Sequence, residues 1–270
     1  MEIPMNLKVV SVLGALVAAS SSFAVTTAAS GELVLGFGAT GGTGSSLNLE
    51  VALGTVSNYT ALSDGNLHSL GRLSGADLAA TYGADWTTRA DLNWGIIGFT
   101  GNSLNNTVWA SKEQAVVGTM GTPWAKMPAS GGNTAGSVIK STVAGLTAAA
   151  ATANSSYAGV LETSALQSWY TTQGTTGSAF KTPYETDTLN NSTAFGTNSY
   201  VVSDLFQMVN TSAGQSSYVG SFGIDNTGGL WFSNDASDFA AIPEPSTYAM
   251  ILGALTLGLV AVRRRMVKQA

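Results

Sequence analysis

The stretch SYVGSFGIDNTGGLWFS, from Ser217 to Ser233, constrains the fold most. Aromatic and β-branched runs flank a Gly/Asn/Asp turn, the pattern of a β-hairpin. Helices do not tolerate such a turn, so at least part of the chain must build antiparallel sheet. Other segments extend the reading. Gly31 to Phe37 and the alternating Leu47 to Leu53 read as strands. So do Leu92 to Phe99 and Thr107 to Ala110. The Gly-rich stretch Gly38 to Ser46 joins the first two strands. Composition agrees: only 10% of the 270 residues are charged and 32 are Gly, which suits turns and strands better than charged helical bundles.

Helical patterns are fewer. Ser74 to Tyr82 predicts a short helix with Ser74 as N-cap and Asp77 at the third position. Ser137 to Thr152 and Tyr157 to Tyr170 predict two more, and Gly118 to Gly136 a long loop. Val201 to Val209 fits a helix or a strand, with helix favoured. Gln173 to Asn198, rich in Thr, Gly and Asn, reads as irregular or short edge strand. The expected fold class is α+β, an antiparallel, sandwich-like β-sheet with a few short helices.

Charge and composition exclude several chemistries. From Gly31 to Ile242, six bases face fourteen acids, net −8, which argues against nucleic acid as a partner. No cysteine is present, so disulfides, thiolate metal sites and cysteine nucleophiles are excluded. His68 is the single histidine, which excludes any site needing two from one chain.

Several apparent motifs have simpler readings. Gly36 to Gly41 matches G-x-G-x-x-G after a strand. A strand follows it rather than the helix whose N-terminus a pyrophosphate requires, so it reads as a turn. Asp225 to Gly229 offers oxygen ligands but reads as the hairpin turn. Asp85, Arg89 and Asp91 bracket Trp86 and Trp94; a structural Asp–Arg pair is favoured over a glycosidase carboxylate pair. Asp235 and Asp238 read as solvated, and His68 as a surface loop residue. Sequons at Asn58, Asn105, Asn154 and Asn210 arise by chance in a chain rich in Ser, Thr and Asn. No catalytic residue, metal ligand or cofactor is expected, and the chain is read as non-enzymatic.

Both ends read as addresses. Lys8, the apolar run Val9 to Ala19 and the small residues after it form a signal-peptide pattern. Cleavage after Ala24 is favoured, with alternatives up to residue 29. Signal peptidase is the partner implied. At the other end Thr247 to Val262 carries no charge, and Arg263, Arg264, Arg265 and Lys268 follow. This predicts a transmembrane helix over 247–262, with the bases on the cytoplasmic side as a stop-transfer signal. The expected organisation is residues 1–24 as signal peptide, 30–233 as exported domain, 234–242 as linker and 243–268 as sorting signal.

Pro243-Glu244-Pro245, the apolar stretch and the arginine cluster together resemble the PEP-CTERM sorting signal of Gram-negative, biofilm-forming bacteria. Two stretches, LVLGFGATGGTGSSLNLEVALG and LSGADLAATYGADWTTRADLNWGIIG, are similar to segments of uncharacterised proteins of that family. The resemblance implies recognition by an exosortase, with Pro243, Glu244 and Pro245 as the motif. It implies an inner-membrane-anchored precursor and a mature form at the cell surface or in the extracellular matrix. The expected role is structural or associated with extracellular polysaccharide, itself an expected partner. The alternatives are an extracellular carbohydrate-binding module, which requires an exposed platform among the six tryptophans, or a secreted hydrolase.

Overall fold

The computed structural model describes residues 31–101, 106–124, 129–165, 168–169, 191–192, 194–209 and 216–240. These residues form one antiparallel sheet with three helices laid on it. The strands are β1 (Glu32–Ala39), β2 (Leu47–Thr55), β3 (His68–Ser69), β4 (Leu92–Gly101) and β5 (Asn106–Glu113). They continue as β6 (Ala158–Glu162), β7 (Asn191–Ser192), β8 (Tyr200–Val209), β9 (Ser217–Asp225) and β10 (Leu230–Ser233). The order across the sheet is β3-β10-β9-β8-β5-β4-β1-β2-β6, with β7 paired to β4. The helices are α1 (Val56–Thr60), α2 (Gly75–Tyr82) and α3 (Ala129–Ala148).

The sheet curls rather than lying flat. Leu49, Val51 and Leu53 of β2 share one apolar core with Phe222 and Ile224 of β9, although four strands separate β2 from β9 in the sheet. α1 closes the gap: Tyr59 sets its ring 5.0 Å from both Phe222 and Phe232 and donates its hydroxyl to Leu53 O. The sequence reading of a sandwich is therefore corrected to a single curled sheet, whose two ends supply the two sides of one inner core.

The outer face carries a second core. Ala135, Ile139 and Leu146 of α3 pack over Val34, Ile97, Phe99, Val108, Ala110 and Phe206. Gly136 allows the close approach, since a Cβ there would lie 2.1 Å from the Phe99 ring. The β4–β5 ladder ends at Ile97 and Ala110; beyond it Ser111 Oγ accepts from Ile96 N at 2.7 Å, and β7 pairs with Asn93 and Trp94 instead.

Local signals explain most elements. Ser74 caps α2, accepting from Ala76 N at 3.1 Å. The expected hairpin forms as β9–β10, and the Gly-rich stretch after β1 turns into β2. Three local expectations are corrected. Val201 to Val209 lies in a strand, because β5 and β9 pair with its two edges and its apolar side chains face both cores. Residues 158–162 form the edge strand β6 rather than the start of a helix, since β2 offers them a ladder. The loop expected up to Gly136 gives way to α3 from Ala129. Residues 236–239 make a 3-10 turn whose Phe239 is buried over Gly223, where a Cβ would lie 2.3 Å from its ring.

The transmembrane part of the expected fold is also corrected. Among the described residues no helix is long and apolar enough to cross a membrane. The expected helix 247–262 and the signal peptide lie outside the described residues.

Candidate functional site

A cleft of about 610 Å³ opens beside the β9–β10 end of the sheet. Residues 63–65, after α1, form one wall and residues 118–120, after β5, the other. Tyr218 of β9 and residues 234–237, after β10, complete it. Among the described residues no Lys or Arg lines it.

A buried polar network holds the second wall. Asp204 on β8 and Ser221 on β9 are paired across the ladder, and both are fully buried. Asp204 Oδ1 accepts from Gln114 Nε2 and from Ser221 Oγ, each at 2.6 Å. Its Oδ2 accepts from Gly121 N at 2.6 Å, and Gln114 Oε1 accepts from Gly118 N at 2.9 Å. Both ends of the 118–121 segment are thus fixed by side chains rooted in the sheet. With Ser221 donating to Asp204, the Tyr218 hydroxyl donates to Ser221 Oγ at 2.7 Å. Burial raises the Tyr218 phenol above its ordinary range, so it remains protonated.

The first wall is built from turns. Asp64 Oδ1 lies 2.8 Å from His68 Nε2 and accepts from Asn66 N at 3.2 Å. The hydrogen bond from His68 and those from Asn66 hold the Asp64 carboxyl below its usual value. Gly65 N donates to Asn234 Oδ1 at 3.2 Å, tying this wall to residues 234–237. Asp235 accepts from Ser237 N and Ser237 Oγ at 2.9 and 2.7 Å, which lowers its pKa too. Two ionised carboxylates, an amide and hydroxyls therefore face an open volume. This set accepts hydrogen bonds and attracts positive charge; a carboxyl with a lowered pKa does not donate protons at neutral pH.

Most candidates read from the sequence lie away from the cleft. Arg89 pairs with Asp91 through Nε and Nη2 at 3.0 and 2.6 Å and donates to the carbonyls of Gly41, Thr43 and Tyr82. The pair is structural: the expected turn at Gly36–Gly41 is corrected, because Gly36 to Ala39 belong to β1, and Arg89 fastens the loop after them, which leads into β2 rather than a helix. Asp225 is saturated by Thr227, by Gly229 N and by Trp231 Nε1, as a hairpin turn requires. Trp86, Trp94, Trp109, Trp124 and Trp169 are buried, and Trp231 is half-buried against Tyr200. The tryptophan platform needed by a carbohydrate-binding module is therefore absent among the described residues. Of the residues singled out in the sequence, Asp235 lines the cleft and His68 borders it through its contact with Asp64, which carried no sequence signal. Asp204, Gln114 and Ser221 were not singled out. Their one signal is a carboxylate inside the apolar run VVSDLFQMV, which calls for buried donors only once that run is known to be a central strand.

No family model matches the chain, and neither a curated protein nor a solved structure matches it. Ala24, Pro243, Glu244, Pro245, Arg263, Arg264 and Arg265 lie outside the described residues. With no matching protein and no membrane-crossing helix among the described residues, the expected exosortase-sorted, membrane-anchored surface protein is not sustained. That expectation, with its carbohydrate-binding and hydrolase alternatives, gives way to a reading based on the described domain.

Proposed function

We propose that this domain is a non-catalytic binding protein that takes a small, donor-rich ligand into the cleft beside Tyr218. The observation that carries the reading is the Asp204 network. A fully buried carboxylate and glutamine pin both ends of a short exposed segment, and that segment does nothing evident for either core. Pre-organisation of this kind lowers the entropy lost when a ligand binds. The volume, about 610 Å³, falls in the usual range for small-molecule sites. The lining supplies acceptors and negative charge, so the ligand carries N–H or O–H donors. Both lining carboxyls are held below their usual values and the Tyr218 phenol is pushed up so that it stays protonated, a set that favours binding over proton-transfer chemistry.

The test is isothermal titration of the full chain with a panel of small amines, amides and alcohols. Binding of a donor-rich compound, weakened about tenfold by Asp235→Ala through loss of one charge-assisted hydrogen bond, is the expected result. Binding unaltered by Asp235→Ala and Asn234→Ala, or none across the panel, overturns the reading.

A further inference from the structure

The outer face of the sheet holds a second buried carboxyl, unrelated to the cleft. Glu50 of β2 is fully buried between glycines: Gly36 of β1 faces it on one side and Gly159 of β6 on the other. Gly95 of β4 continues the row beyond Gly36. These missing side chains form a trough, and Trp169 lies in it. A Cβ on Gly36 would sit 2.0 Å from Trp169 Cγ. Trp169 is fully buried and donates its backbone N–H to Glu50 Oε1 at 2.5 Å. Glu50 Oε2 has no hydrogen-bond partner among the described residues.

We propose that Glu50 and Trp169 form a latch that proton loss opens: the neutral carboxyl lets the indole seal the glycine trough, and ionisation drives Trp169 out so that water reaches the carboxylate. The geometry gives the reason. An ionised carboxylate needs several donors, and this one has a single N–H, with one oxygen facing apolar and glycine surroundings. Opening releases the Oε2 proton to solvent and exchanges the Trp169 N–H for water. Desolvation pushes the Glu50 pKa up to about 8, against an opposing contribution from the Trp169 N–H.

Among the described residues no neighbouring charge offers an alternative partner. β1 and β6 present glycines at this level, and Glu162 lies at the far end of β6, opposite Leu47. The titratable residue of α3 is Lys140, held over the Phe99 ring at 4.8 Å. Tyr82 of α2 reaches Leu49 N from the inner face, and burial raises its pKa, so it stays neutral. Ser168, beside Trp169, donates to Thr163 O.

The sign follows from linkage. Closed, Glu50 titrates near 8; exposed, it titrates near its ordinary 4.5. Closure is therefore strongest below the lower value and weakens as pH rises to the upper one, above which it levels off. Hydrogen exchange of the full chain, followed at the Trp169 amide and corrected for intrinsic exchange, reads this directly. Protection is expected to fall by up to about tenfold per pH unit between those values, while β8 and β9 amides stay protected. Glu50→Gln, which stays neutral, should hold Trp169 protection constant over the same range. Constant protection in the natural chain overturns the proposal, as does an equal fall in Glu50→Gln. Should Glu50→Gln fail to fold, the natural chain still decides: a fall confined to Trp169 supports the latch, and a fall shared by β8 and β9 refutes it.

Discussion

Asp204 and Glu50 occupy matching environments and behave in opposite ways. Both lie on the outer face of the sheet, both are fully buried, and each has strands on either side. Asp204 gathers three donors on two oxygens. Glu50 gathers one and leaves an oxygen without a partner among the described residues. The lesson is that burial alone does not define a buried acid. Its donor count decides whether it acts as a fixed anchor, as Asp204 does for the cleft wall, or as a group whose charge the fold cannot accommodate.

The comparison breaks most visibly at its well-satisfied end. Asp204→Ala strands the donors of Gln114, Ser221 and Gly121, each worth about 1–3 kcal/mol when left unpaired, so a loss of about 3–5 kcal/mol is expected in urea unfolding. A loss below about 1 kcal/mol would mean the network does not anchor the wall.

At the other end, Gly36→Ala puts a methyl group where the Trp169 ring lies. Overpacking of this kind costs about 1–3 kcal/mol, and Trp169 should become accessible to a fluorescence quencher at neutral pH. Unchanged quenching would place the indole outside the trough. The smallest effect belongs to Ser221→Ala, which removes one donor and leaves Asp204 with two. A cost of about 1 kcal/mol is expected, with slightly faster exchange at Gly118 and Gly121. A cost equal to that of Asp204→Ala would show that the donors act as one unit rather than as a count.

The legibility of these regions differs for physical reasons. Turn chemistry is local, so the β9–β10 hairpin, the Ser74 cap and the Arg89–Asp91 pair follow from neighbouring residues. Strand identity in VVSDLFQMV is not local. Its alternation is obscured because both faces are buried, and only pairing with β5 and β9 selects the strand. Residues 158–162 show the same dependence on an available edge, that of β2. The cleft was least legible of all. Its walls come from residues 63–65, 118–120 and 234–237, which are far apart along the chain and carry no common motif.

By itself the sequence determined an antiparallel α+β fold, few charges, no cysteine chemistry and a strand rather than a phosphate-binding helix after the Gly-rich stretch. Those conclusions rest on residue type and on contacts within a few residues. Only the tertiary structure decided that the sheet curls on itself, that Asp204 is anchored, and that Glu50 lies in a glycine trough under Trp169. Strand register brings Gly36, Glu50 and Gly159 into one row, and register is a property of the whole sheet rather than of any one strand.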